Sequence, residues 1–123
     1  MTSKQGAVAS WLGSFGMPAY SARAVPDDAK LPYLTFSPVD GAWGDGEQNV
    51  SVDVWERTES EAAINARVEA MGRALGIGGA LLRCDGGAVW LKRGSPFANA
   101  TDSGEDGVLR RSVNVAAEFI TSY

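Results

Sequence analysis

The chain has fifteen Asp and Glu residues, eleven Lys and Arg, one cysteine and no histidine, and these set the chemistry open to its 123 residues. Without imidazole, an acid, base or nucleophile must come from carboxylates, Lys, Tyr, Ser or the lone thiol. A small carboxylate enzyme would draw on Asp40, Asp45 or Asp53 and would need a concave pocket around at least two of them. Ser-Lys catalysis finds no S-x-x-K pattern, and Gly13-Ser14-Phe15-Gly16 lacks the spacing of a G-x-S-x-G elbow. Cys84 has no histidine to activate it and reads as a small packed residue. Asp102, Glu105 and Asp106 suggest an ion-binding loop. An EF-hand begun at Asp102, however, would place Gly104 at the third ligand and Val113 where the twelfth must be Glu. No catalytic residue, metal ligand or cofactor is assigned on these grounds.

Gly76, Gly78 and Gly79 come near a phosphate-binding spacing. The fingerprint would need glycine where Leu81 stands, and would have to open a helix, whereas this run closes one. A left-handed helix cap accounts for it. Asn99-Ala100-Thr101 matches a glycosylation sequon, which matters only in a secreted eukaryotic setting. Net charge is −4 and no Lys/Arg run tracks a phosphate backbone, so nucleic acid is not an expected partner. No stretch approaches a membrane span, and the acidic balance disfavours anionic lipid. A single cysteine suits a reducing cytoplasm. Met1 to Ala24 has some features of a signal peptide, but Ser10, Gly13, Ser14 and Gly16 interrupt its apolar stretch.

The elements that must carry these residues follow from hydrophobic periodicity. Val8, Trp11, Leu12 and Phe15 share one face of a short helix opened by a Thr2-x-x-Gln5 box and stopped by Gly16 and Pro18. An extended piece is possible at 20–25, and Tyr33–Ser37 alternates as a strand. Gly41–Gly46 reads as a hairpin loop that leaves Trp43 exposed. Val50, Val52 and Val54 give a central strand over Gln48–Glu56. Thr58-x-x-Glu61 opens a second helix on Ile64, Val68, Met71 and Leu75, with Arg67, Glu69 and Arg73 to the outside. Asp85-Gly86 predicts a hairpin between 81–84 and 88–93. The 14 residues Gly94–Gly107 read as an irregular loop, functional or disordered, before a last strand over Val108–Tyr123. The expectation is one domain over residues 1–123, of α+β class, with a mostly antiparallel sheet and two helices packed on it.

This order of elements resembles the tail terminator (tail completion) proteins of long-tailed bacteriophages. The matching pieces are the N-terminal helix, Leu31-Pro32-Tyr33-Leu34-Thr35-Phe36, Val50-Ser51-Val52-Asp53-Val54-Trp55, the helix Ser60–Leu75 and the strand Arg111–Tyr123. The resemblance implies a virion structural protein, assembled in the host cytoplasm. It would be a ring-forming subunit, as a homo-hexamer, that caps the tail tube, stops its growth and meets the head connector. It supplies no catalytic residues. A closed ring requires two different complementary patches on each subunit. Position and residue type nominate Trp43, Asp45, Arg57, Arg67, Arg73, Asp102, Glu105 and Asp106 as contacts with sister subunits, the tail tube protein or the head-completion protein. Each also reads as an ordinary solvated residue. Another head-to-tail connector, neck or minor virion protein fits the same pattern, as does, less well, a small enzyme or a monomeric ligand-binding module with an apolar cavity.

Overall fold

The structure is a computed structural model, and it describes residues 2–37, 43–44, 46–57 and 61–121. Its elements run α1 (Lys4–Leu12), β1 (Ala19–Ser21), β2 (Tyr33–Phe36), β3 (Glu47–Arg57), α2 (Glu61–Leu75), β4 (Ala80–Cys84), β5 (Gly87–Thr101) and β6 (Val108–Thr121). The strands form one six-stranded sheet in the order β1-β2-β3-β6-β5-β4. All neighbours are antiparallel except β1 and β2. This is the α+β architecture the periodicity predicts. α1 touches β1 at one end of the order and β4 at the other, so the sheet curls around it.

The strand period of two puts one side chain in every pair on the core face. Leu34, Val50, Val52, Val54, Val89, Leu91, Val113, Val115, Ala117 and Phe119 all lie there, buried against Val8 and Leu12 of α1 and Ile64, Met71 and Leu75 of α2. Among the described strand residues, Thr35 is the only one buried on the opposite face. Both helices therefore cover one face, and among the described residues no helix covers the other, called the bare face below.

Four expectations change. Helix α1 is capped by Ser3, whose Oγ accepts from the Gly6 N–H at 3.1 Å, and not by Thr2. It ends at Leu12, and Phe15 reaches the core from the following turn, edge-on to Trp11 with centroids 4.9 Å apart. Trp43 is half-buried, not exposed. Its ring meets Phe119 edge-on at 6.3 Å, with Lys4 Nζ 4.8 Å from both ring centroids. The fourth change is the largest: Gly94–Thr101 is not loop but the second half of β5. β6 is 14 residues long and recruits a partner along its length. A bulge between Arg93 and Ala98 takes up Gly94-Ser95-Pro96-Phe97, so Pro96 sits where the ladder asks for no N–H. Asn114 Nδ2 holds the bulge by donating to the Pro96 carbonyl at 2.9 Å. Only 102–107 remains as a turn.

The apolar stripe of the second helix and the glycine run behave as read. Gly76 caps α2 at φ +63°, with its N–H on the Gly72 carbonyl at 3.0 Å. The start of the proposed Thr58-x-x-Glu61 box and half of the Gly41–Gly46 loop lie outside the described residues.

Candidate interaction surface

The bare face has two parts at opposite corners of the sheet. One is polar and aromatic, on β1, β2, β3 and the start of β6. Tyr20 packs edge-on to Tyr33 at 5.7 Å, and Tyr33 lies 6.4 Å from Trp55. The Trp55 indole donates to Thr35 Oγ1 at 3.0 Å, which satisfies the one buried polar side chain of this face. Arg110 lies directly across the ladder from Trp55, its guanidinium carbon 5.0 Å from the ring centroid. It grips Asp53 through two bonds of 3.0 Å, the bidentate geometry a planar fork favours. Ser112 adds a third bond to Asp53 at 2.8 Å and meets Thr101 at 2.8 Å. Asp53, the one described carboxylate of the Asp40, Asp45, Asp53 set, thus accepts three hydrogen bonds, from Arg110 and Ser112.

Beside this network is a cleft of about 520 Å³ lined by Lys30, Tyr33, Trp55, Arg57, Glu105 and Val108, among others. Lys30 and Arg57 are exposed, and neither side chain has an ion-pair partner among the described residues.

The opposite corner is apolar. Leu81 pairs with Trp90, which in turn pairs with Glu118, and Ile120 pairs with Ala88, so these side chains share the bare face. Leu81 is 59% exposed and Ile120 39%. Lys92 Nζ sits 3.7 Å from the Trp90 ring centroid and pairs with Glu47. Exposed Asp85 lies at the end of the strip.

The nominated contact residues separate in this frame. Arg57 lines the cleft, and Glu105 approaches it from the turn that also carries Asp102 and Asp106. Asp102 Oδ1 accepts from the Gly104 N–H at 2.9 Å and shapes that turn. Arg73 is 75% exposed, 3.2 Å from Glu69 one turn earlier, on the rim of a groove between α2 and the β5 bulge. Arg67 does not face outward as expected. Its Nε donates to Glu56 Oε2 at 2.7 Å, and Glu56 is only 8% exposed, so the pair ties α2 to β3. Trp43 is held in the core margin, and Asp45 lies outside the described residues.

Sequence reasoning did not nominate Tyr20, Arg110, Leu81 or Ile120, and it considered Asp53 only as an enzyme carboxylate. Their one signal was period-two placement opposite the core residues, which had been used only to find the core.

Among the described residues no group of three His, Cys, Asp or Glu side chains could hold a metal ion, and no helix is long and apolar enough to cross a membrane. No protein-family model and no curated protein matches this chain.

Proposed function

We propose that this chain is a virion structural subunit of the tail terminator kind, assembling head-to-tail into a ring that caps a tail tube and offers a joining surface to the head. The observation that carries the reading is the bare sheet face. A sheet packed by helices on one side only, with Leu81, Trp90 and Ile120 grouped on the other, has surface to spend on a partner. A closed ring needs two unlike patches per subunit. The two corners of this face are unlike: an apolar strip of Leu81, Trp90 and Ile120, and a polar cleft lined by Tyr33 and Trp55 with both bases, Lys30 and Arg57, and acids, Asp27 and Glu105. Docking the strip of one subunit against the Tyr33 and Trp55 side of the next subunit's cleft would cover the exposed apolar residues.

Asp53, locked by Arg110 and Ser112, supports a rigid contact surface over a carboxylate enzyme. The test is Leu81→Asp together with Lys30→Glu/Arg57→Glu, followed by sedimentation and electron microscopy. Both variants are expected to keep the far-ultraviolet spectrum of the parent and to lose higher assembly. Rings unchanged in both would rule this interface out.

A further inference from the structure

β4 pairs with β5 only as far as Leu91, so the rest of β5 forms an open edge of the sheet. The two-residue hairpin turn makes Cys84 and Gly87 a bonded pair, which directs Gly87, Val89 and Leu91 toward β4 and Ala88 toward Ile120 of β6. Even-numbered residues of β6 therefore bond to β5. Beyond the bulge, Ser112 and Arg110 take Asn99 and Thr101, leaving the N–H and C=O groups of Ala98 and Ala100 pointing outward. Among the described residues nothing in the chain bonds to them.

Such an edge invites pairing unless charge, proline or a cover guards it. The other edges are blunted. β1 is three residues long and closed by the Ala24 N–H on the Ser21 carbonyl, and β4 carries exposed Arg83 with α1 alongside. Ala98-Asn99-Ala100-Thr101 carries no charge. Its flanks are charged with opposite sign. On one side stand Arg93 and Arg73, in the groove with Phe97 and Glu69; on the other stand Asp102, Glu105 and Asp106.

We propose that residues 97–101 pair antiparallel with the same residues of a second copy about a two-fold axis. Ala98 of one copy then exchanges bonds with Ala100 of the other, and Asn99 faces Asn99 across the axis. The antiparallel direction carries the acidic 102–106 turn of each copy past the bulge of the other, toward Arg93 and Arg73. The charge pattern is thus self-complementary, which is what a two-fold contact requires and what an unrelated strand would not supply. The pairing uses the sheet edge and does not involve Leu81, although Glu105 of the acidic turn also lines the cleft of the ring contact.

Mild oxidation of variants with one cysteine in addition to Cys84 tests it. Facing residues of a pair that exchanges no backbone bonds have Cα atoms about 4.5 Å apart, within disulfide reach. Asn99→Cys is expected to give a covalent dimer on a non-reducing gel. Thr101→Cys faces Phe97 and lies four residues, about 13 Å, from its own mate, so it should stay single, as should the parent, whose Cys84 is buried. Light scattering supplies the second readout. The exposed substitution Asn99→Lys should abolish the two-fold dimer with the fold intact and leave rings built through Leu81 unaffected. No covalent dimer from Asn99→Cys, or equal linking of Thr101→Cys, would overturn the proposal.

Discussion

The Glu56–Arg67 pair shows how one residue's environment changes its meaning. On a helical wheel Arg67 belongs with Arg73 on a charged outer face, and the structure gives the two opposite tasks. Arg73 sits in solvent beside Glu69, an arrangement worth under about 0.5 kcal/mol, so Arg73→Ala should leave the urea midpoint almost unchanged. Arg67→Ala strands a carboxylate that is 8% exposed and should cost about 1–3 kcal/mol in the same experiment. The wheel could not separate them, because the acid that captures Arg67 lies on β3, eleven residues earlier. Cys84 behaves as the sequence suggests. Burial, with the Asp85 carboxylate adding to it and Lys4 opposing, pushes its thiol pKa above the ordinary 9.0. The folded state then holds the thiol proton more tightly than the unfolded state. Stability should therefore be full below pH 9.0 and decline as pH rises above it, a slope that Cys84→Ala should flatten. A thiol reagent at pH 8 should react far faster in urea than in buffer.

Elements with a strong local period were legible from the residues alone. The valines of β3, the 4-3-4 spacing of α2 and Asp85-Gly86 each fix a conformation through neighbours in sequence. β5 beyond Arg93 was not legible, because Gly94-Ser95-Pro96 carries the composition of a loop and the reason for its strand state is non-local. A long β6 offers a ladder, and Asn114 holds the bulge that lets Pro96 fit. The same contrast governs the α2–β4 turn. Gly79 has φ +82°, and an added Cβ would collide with the Leu91 carbonyl and the Trp90 indole; at Gly78 it would meet nothing. Gly79→Ala should cost more than about 1 kcal/mol, and Gly78→Ala should stay within about 0.5 kcal/mol. Thermal melts of the two variants compare them directly. A larger loss at Gly78 would contradict this account of the turn.

At the level of the molecule, a curled six-stranded sheet with both helices on one face puts its apolar and polar corners on the face that no described helix covers. The sequence allowed the fold class, because it follows from patterning, but not this surface. Alternation says which side chains turn away from the core; strand order decides which of them gather. Leu81, Trp90 and Ile120 come from three strands that only the β6-β5-β4 order makes adjacent. The reading as a ring-forming virion subunit stands or falls on assembly. Negative-stain electron microscopy of the purified protein over a concentration series, with mass from light scattering, tests it most directly. Closed rings of about six subunits, singly or stacked in pairs, are the predicted result. Single subunits and two-fold dimers alone, at every concentration, would contradict it.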